Sequence, residues 1–277
     1  MSKILSKPYI WYDQYLFPRI KNQRGATRLL QWLQKLSQVG LKKISREPAP
    51  LQKLDWRNVL ILDACRHDTF EEVYGPSGSR ISVGSMSGEF IEKTFSNHDF
   101  SDTVCITANP YYHDSQFKPR AGREVEDVFH DVYPLYLTDW NEEKQTVIAE
   151  DVVKATKKAE EDYPEKRKLV HFMQPHIPFV EDNPSDFSFR EAILDASEGD
   201  KLWDIAMKGE IDREKVRKGY RRNLEYVLPF AEELADFLPG KTMVTSDHGT
   251  FLGENGLYKH PRGSNARALR EVPWEEF

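Results

Sequence analysis

Residues 242–260 carry the clearest indication of the fold, and they read TMVTSDHGTFLGENGLYKH. The apolar residues 242–244 lead into an adjacent Asp247 and His248, and a glycine follows. This layout is typical of a buried strand whose carboxyl end delivers two polar side chains to one point. A carboxylate beside an imidazole suits a divalent metal such as zinc or manganese. His260 lies close enough in sequence to return to the same point. The alternative is that Asp247 caps the next segment and that His248 lies at the surface.

A second apolar run ends in a carboxylate at Asp63. Residues 58–62 read NVLIL, which is typical of a strand buried on both faces of a parallel sheet. Ligands of such sheets gather at the carboxyl ends of the strands, so we expect Asp63 and Asp247 to lie close together. The alternative for Asp63 is a cap on the helix predicted over residues 66–73.

A hydroxyl group precedes the next predicted helix. Apolar residues recur at helical spacing over residues 90–95, so a helix is predicted to begin just after Ser87. A hydroxyl there faces free backbone N–H groups and the positive end of the helix dipole. That position suits a phosphate or sulfate group and a nucleophile that attacks one. An ordinary helix cap is the alternative for Ser87, and Ser85 is a weaker candidate for the same role.

Two histidines belong to a further apolar run, residues 169–179, which read LVHFMQPHIPF. His176 stands between two prolines, so it is predicted to lie in a loop, where it is a candidate ligand or anion donor. His171 lies within the predicted strand. It is either a site residue or a core histidine with its hydrogen bonds satisfied, and the sequence leaves both interpretations open.

These motifs together resemble the metal site of the alkaline phosphatase superfamily, in its sulfatase-like branch. Residues 246–260 are similar to the motif Ser-Asp-His-Gly-x-x-Leu-Gly-Glu-Asn-Gly-x-Tyr-x-His of lipid A phosphoethanolamine transferases, and lipoteichoic acid synthases are more distant relatives. The resemblance implies an α/β, alkaline-phosphatase-like fold with a mostly parallel sheet sandwiched by helices. It implies a divalent metal, which is zinc, manganese or calcium.

The resemblance also implies roles for individual residues. One metal is held by four residues: Asp63, Ser87, Asp247 and His248. The hydroxyl of Ser87 is the nucleophile. His176 and His260 bind a second metal or the substrate anion.

The sequence departs from two patterns of the superfamily. Classical sulfatases make formylglycine from a Cys/Ser-x-Pro-x-Arg motif, and neither Cys65, Cys105 nor Ser87 begins one. Phosphoethanolamine transferases carry a membrane-spanning domain, whereas no apolar run here approaches the roughly 18 residues that a spanning helix needs. The sequence therefore predicts a metal-dependent hydrolase or transferase that is not of the formylglycine type. It acts through a serine on phosphate or sulfate esters, with glycan- or lipid-linked esters among the candidates. The alternatives are a metal-binding pseudoenzyme and a membrane-surface interaction protein of the same fold.

Charge divides the chain into two parts. Residues 1–58 hold twelve Lys or Arg and three acidic residues, a net charge of +9 against −15 for the remainder. We predict a basic, aromatic-rich, mostly helical N-terminal extension over residues 1–50 and a catalytic domain over residues 51–277, joined at the proline-containing linker 47–50. The extension either contacts a membrane surface peripherally or packs on the acidic body. Nucleic acid is not an expected partner.

Length and composition agree with one α/β domain plus this extension. The 277 residues are 39% hydrophobic, and two cysteines provide no disulfide framework. Strands are predicted near residues 58–63, 103–107, 168–173 and 241–246, and helices near 143–162 and 214–238. The acidic stretch 180–212 is predicted to be an insertion or flap. Because the N-terminus shows no apolar signal region, a cytoplasmic location, with a possible membrane association, is expected.

Overall fold

The computed structural model describes residues 46–180, 201–207 and 209–277. The predicted N-terminal extension, apart from its last few residues, lies outside this part of the chain. So does most of the predicted acidic flap. The boundary at residue 50 therefore stays a prediction. Among the described residues, no helix has the length and apolar composition needed to cross a membrane.

A seven-stranded sheet forms the centre of the domain, with the strand order β2-β9-β6-β1-β5-β3-β4. Strand β1 lies in the middle and pairs in parallel with β5 and β6, and β3 pairs in parallel with β5 and β4. Only β9 runs against its neighbours β6 and β2. A separate hairpin consists of β7 and β8. The strands are β1 Asn58–Leu62, β2 Ser79–Ile81, β3 Phe100–Thr107, β4 Phe129–Pro134, β5 Arg167–Phe172, β6 Thr242–Thr245, β7 Phe251–Glu254, β8 Leu257–Lys259 and β9 Glu271–Glu276.

Helices cover both faces of this sheet. Within the described residues the α-helices are α1 His67–Tyr74, α2 Ser87–Phe95, α3 Asp114–Ala121, α4 Leu135–Thr138, α5 Ala149–Asp162, α6 Lys201–Met207, α7 Arg213–Phe237 and α8 Arg267–Arg270. Short 3₁₀ turns lie at Leu51–Lys53, Pro110–Tyr112 and Val125–Asp127. The predicted α/β fold with a mostly parallel, helix-sandwiched sheet is confirmed.

The alternation of side chains along β1 explains the two layers of core. Leu60 and Leu62 belong to a buried cluster that includes residues of α1, α5 and α7. Val59 and Ile61 point to the other face and join a cluster that includes α2 and α3, with Phe95 among its aromatic rings. Because successive side chains of a strand point to opposite faces, an unbroken apolar run fills both layers at once.

The amino ends of the central strands are fixed to each other. The amide of Asn58 donates to Thr242 Oγ1 at 3.0 Å and to the carbonyl oxygen of Pro239 at 3.1 Å. Arg57 donates to the carbonyl oxygens of Pro164 and Glu165. These contacts all lie at the amino ends of the strands and do not involve the carboxyl ends on the opposite side of the sheet.

The predicted elements that fall on described residues agree with the structure to within a few residues, apart from the helix near 143–162. It begins later, at Ala149. Helix α7 ends at Phe237, just before Pro239 and Gly240, as its predicted stop signal requires. Gly240 has a φ of +82°, a left-handed conformation that glycine adopts without strain.

Candidate metal centre and active site

Three buried ligand atoms converge where the central strands end. Asp63 directly follows β1, Asp247 follows β6, and His171 lies near the end of β5. One ligand atom from each of the three lies within 4.8 Å of the others. His171 Nε2 is 3.6 Å from Asp63 Oδ2 and 3.9 Å from Asp247 Oδ2. The sheet order β6-β1-β5 places these residues side by side, as expected for the carboxyl edge of a parallel sheet.

The donor set fits a divalent cation. Asp63 Oδ1, Asp247 Oδ2 and His171 Nε2 are shielded from solvent and have no hydrogen-bond partner among the described residues. Within that part of the chain the two carboxylates have only histidines, and no Lys or Arg, at ion-pair distance. Buried carboxylates without such compensation are costly unless a metal ion neutralises them. Oxygen and imidazole ligands suit zinc and manganese.

Asp247 and His248 each use one polar atom to bond to the backbone, and this contact orients the other polar atom toward the site. Asp247 Oδ1 accepts from the backbone N–H groups of Ala64 at 3.1 Å and His248 at 2.9 Å, so Oδ2 is left for the site. His248 Nδ1 lies 2.8 Å from the carbonyl oxygen of Gly249, which requires the proton on Nδ1. The lone pair of His248 Nε2 then faces Asp247 Oδ2 at 3.3 Å. The Asp247 oxygen and the His248 nitrogen both accept, and at this separation they are suited to binding the same cation.

Asp63 does not act as the helix cap that the sequence left open. Helix α1 begins at His67 with Arg66 as its N-cap residue, and no side chain caps it. Ala64 adopts a φ of 57°, which turns the chain sharply after Asp63. Burial alone would raise the pKa of the Asp63 carboxyl, but the hydrogen bond with His171 and the imidazole of His176 outweigh burial and hold that pKa below its usual range. The carboxylate is therefore ionised and available as a ligand.

Ser87 is the first residue of α2 rather than its cap, because Met86 occupies the N-cap position. Its Oγ lies 3.1 Å from His248 Nε2 and 3.3 Å from Asn109 Nδ2. Asn109 Nδ2 also lies 2.5 Å from Asp63 Oδ2, so one amide connects the hydroxyl with the carboxylate. Ser87 is thus brought together with Asp63, Asp247 and His248.

Ser85 occupies a different environment. Its Oγ lies 2.9 Å from Glu89 Oε2 and 2.8 Å from the carbonyl oxygen of Pro261, and it accepts from the N–H of Ser264 at 3.2 Å. Burial would raise the pKa of Glu89, but hydrogen bonds from Lys93 and Ser85 lower it to about 2. Ser85 therefore joins the start of α2 to the loop that follows His260.

His176 and His260 converge on the same side of the site. The ring of His260 lies 4.5 Å from the ring of His248 and 5.3 Å from that of His176, measured between centroids. His260 Nδ1 is shielded from solvent and lacks a hydrogen-bond partner among the described residues. Removal from water and the neighbouring imidazoles of His248 and His176 lower the pKa of His260 well below its usual value. His260 follows β8 of the small hairpin rather than a strand of the main sheet.

The hairpin that leads to His260 is anchored by a buried arginine. Arg66 Nη1 donates to Glu254 Oε1 at 2.6 Å and to the carbonyl oxygen of Thr250 at 3.2 Å. Its other nitrogens, Nε and Nη2, pair with both carboxylate oxygens of Asp68. Glu254 Oε2 also accepts from the N–H of Leu252 at 2.7 Å. Arg66, three residues after Asp63, therefore connects that loop to the hairpin.

Sequence reasoning missed Asn109 and left His171 undecided. Asn109 belongs to an Asn-Pro pair directly after β3, a turn signal at the edge where the ligands gather. His171 sits in β5, next to central β1, and its Nδ1 lies 3.3 Å from Tyr112 Oη while Nε2 points to both carboxylates. Position at the carboxyl edge is the signal that could have identified both residues.

Comparison with known proteins finds similarity only at the level of structure. No protein-family model matches the sequence, and no curated protein resembles it closely. The soluble domain of lipooligosaccharide phosphoethanolamine transferase A from Neisseria meningitidis superposes with a TM-score of 0.52 at 12% identity, covering 85% of this chain and 80% of that one. The C-terminal periplasmic domain of phosphoethanolamine transferase EptC from Campylobacter jejuni gives 0.49 at 14% identity, covering 78% and 76%. The lipoteichoic acid synthase LtaP from Listeria monocytogenes gives 0.43 at 12% identity, covering 87% and 71%.

These comparisons confirm the predicted resemblance at the level of the fold alone. They contradict the predicted cytoplasmic location, because structures of this fold among the matches are described as periplasmic domains. The prediction was wrong because it rested on the lack of an apolar leader, and a lack of that kind carries no information about where a domain works.

Proposed function

We propose that this chain is a metal-dependent enzyme that transfers or hydrolyses phosphate esters through Ser87. The observation that carries the proposal is the convergence of the Ser87 hydroxyl with His248, Asn109 and the buried carboxylates of Asp63 and Asp247. The Ser87 hydroxyl lies at the start of a helix, beside buried carboxylates that have no Lys or Arg at ion-pair distance among the described residues. These are the surroundings of a metal-activated nucleophile.

Asp63, Ser87, Asp247 and His248 would hold one divalent ion, and His171 Nε2 is placed to add to this set. The ion is zinc, manganese or calcium. When bound, it supplies a positive charge that lowers the pKa of a neighbouring hydroxyl and offsets negative charge that develops during the reaction.

The chain's own residues position the reacting groups. Asn109 holds the Ser87 oxygen through its amide. Ser87 begins α2, and the first backbone N–H groups of a helix would face the phosphoryl oxygens. The Ser87 oxygen bonds to phosphorus as the bond to the leaving oxygen breaks, and the hydroxyl proton passes through solvent to the leaving oxygen. His176 and His260 are placed to stabilise the leaving oxygen, which takes up a proton, or to bind a second ion. Water or an acceptor alcohol then cleaves the phosphoserine and releases Ser87.

Phosphate esters linked to lipid or glycan are the substrate class that we favour. One protein with a matching fold is by its name a lipooligosaccharide phosphoethanolamine transferase, which supports esters of this class here. The lack of a formylglycine motif at Cys65, Cys105 and Ser87 disfavours sulfate esters. An extracytoplasmic site of action agrees with such substrates. Peripheral membrane contact through residues 1–50 remains part of this proposal.

Metal analysis and turnover of artificial esters test the proposal together. The purified chain should contain a divalent metal and should cleave an aryl phosphodiester but not an aryl sulfate. A chelator should abolish this turnover. Asp247→Asn should lose both metal and turnover, whereas the matched control Asp102→Asn, at an exposed residue of β3, should keep both.

Two outcomes separate the alternatives. Bound metal without turnover of any ester would identify a pseudoenzyme. Full metal occupancy in Asp247→Asn would refute the assignment of this ligand set.

A further inference from the structure

An arginine packs directly on the residue that follows Ser87. Gly88 has no side chain, and a Cβ atom added there would lie 2.6 Å from Arg120 Nε and 3.1 Å from Tyr111 Cε1. Real Cβ atoms essentially never approach another atom as closely as the 2.6 Å to Arg120 Nε, so glycine at this position lets α3 bring Arg120 against the first turn of α2. The guanidinium therefore lies against the first turn of α2, at the residue next to Ser87.

The surroundings of Arg120 fix the side chain but do not neutralise it. Its Cζ lies 5.0 Å from the centroid of the Tyr111 ring, and Nη1 donates to the backbone carbonyl of Gln116 at 2.5 Å and to its side-chain oxygen at 3.1 Å. In the described part of the chain no carboxylate pairs with Arg120, and its Nε and Nη2 groups have no hydrogen-bond acceptor. By contrast, Lys118 on the same helix pairs with Glu124.

The aromatic support of Arg120 belongs to the same hydrogen-bonded unit as the nucleophile. Asn109 Oδ1 accepts from the N–H of Tyr111 at 2.8 Å, while Asn109 Nδ2 contacts Ser87 and Asp63. The turn that places the Tyr111 ring is therefore held by the residue that holds the Ser87 oxygen. A half-buried guanidinium with a fixed plane and unused N–H donors is suited to binding a phosphate oxygen.

We propose that Arg120, supported by Tyr111, binds a non-bridging oxygen of the substrate's phosphate group beside Ser87. This proposal rests on the proposed function and adds a substrate-binding residue that the sequence did not indicate. Gly88 is required because any side chain at that position would displace the guanidinium. The Tyr111 ring supplies the platform on which the guanidinium lies.

Binding of inorganic phosphate to the metal-loaded chain, measured by calorimetry, tests the proposal without requiring turnover. Arg120→Ala and Arg120→Gln should each weaken phosphate binding by about ten- to hundredfold, the loss of one charge-assisted contact. Glutamine keeps much of the side-chain length and an N–H donor for Gln116, so this variant remains informative if the alanine variant folds poorly. Gly88→Ala should weaken binding similarly. Lys118→Ala, the control on the same helix, should bind as the parent does.

Metal content and the separation of kinetic constants distinguish substrate binding from a structural role. Both Arg120 variants should keep the parent's metal content, and an active parent should show the loss in kcat/KM with phosphodiesters. A chain that binds metal and phosphate but turns over no ester would refute the proposed function while the Arg120 comparison still stands. Unchanged phosphate affinity in Arg120→Gln, or a parent that does not bind phosphate, would overturn the assignment of Arg120.

Discussion

Replacing Glu254 by Gln tests whether the ion pair with Arg66 holds the hairpin that leads to His260. Arg66 and Glu254 have 5% and 18% exposed side chains and are joined at 2.6 Å, so solvent screens this pair only in part. A hydrogen bond between charged groups contributes about 1.5–3 kcal/mol and a neutral one about 0.5–1.5 kcal/mol. The substitution should therefore cost about 1–2 kcal/mol.

The assay is thermal unfolding of the parent and the variant. One kcal/mol lowers Tm by about 2–4 °C in a domain of roughly 150–250 residues, so we expect Tm to fall by about 2–8 °C. Arg217→Ala provides the control, because Arg217 is 40% exposed and lies 3.5 Å from the same carboxylate. An exposed pair of that kind contributes at most about 1 kcal/mol.

The dependence on pH identifies the carboxylate charge as the cause. Burial would raise the pKa of Glu254, but Arg66 outweighs burial and lowers that pKa from its model-peptide value of 4.5. A carboxyl group with a lowered pKa contributes stability above the pKa of the unfolded state and loses it as the pH falls through the folded-state pKa. The difference between parent and variant should thus be full at pH 7 and should shrink below about pH 4.5. Equal Tm values at pH 7, or a difference that persists undiminished at pH 3, would refute the reasoning.

Further substitutions test the active site. Ser87→Ala should reduce turnover by orders of magnitude, since within the described residues only its hydroxyl lies at hydrogen-bond distance from His248 Nε2. Ser85→Ala should retain turnover and lose about 1–3 kcal/mol of stability, because it removes the hydroxyl that bonds to the Glu89 carboxylate. A dead Ser85→Ala beside an active Ser87→Ala would assign the nucleophile to the other serine. His176→Ala and His260→Ala should each lower kcat by roughly 10²–10⁴-fold while the first metal stays bound, as metal analysis can check. Loss of the first metal in either variant would show that the histidine helps to hold that metal, which contradicts its assignment to a second ion or to the leaving oxygen.

The central architecture could be predicted because its signals are local. Residues 58–62 form an unbroken apolar run, and buried parallel strands require such runs. The polar residue at the end of each run, Asp63 or Asp247, follows from the rule that ligands gather at the carboxyl edge. The convergence of these residues could therefore be predicted from the sequence alone.

The strands away from the centre of the sheet could not be predicted in the same way. Strand β9 reads EVPWEE, with three acidic residues and a proline, and β4 reads FHDVYP. Neither has the apolar run or the clean alternation that marks a strand, because each is only partly covered by the core. Their pairing is set by neighbouring strands that are distant in sequence.

The residues that support the site could not be predicted from the sequence either. Asn109, Arg120 and Glu89 act through contacts with groups that other loops and helices deliver. A single arginine or glutamate on a helix has the same local sequence whether it faces solvent or a nucleophile. Their positions become informative only when the packing of α2 on α3 and on the loop after His260 is known.

The separation of the two ends of the sheet makes the protein well suited to oriented attachment. Strand β1 spans five residues, so Glu165, exposed at the amino ends, lies roughly 16 Å along the strands from the edge that carries Asp63. Both native thiols, Cys65 and Cys105, are buried, and burial raises the pKa of each. A single cysteine introduced by Glu165→Cys would therefore react selectively with a maleimide. The protein could then be immobilised or labelled with its candidate site facing away from the support.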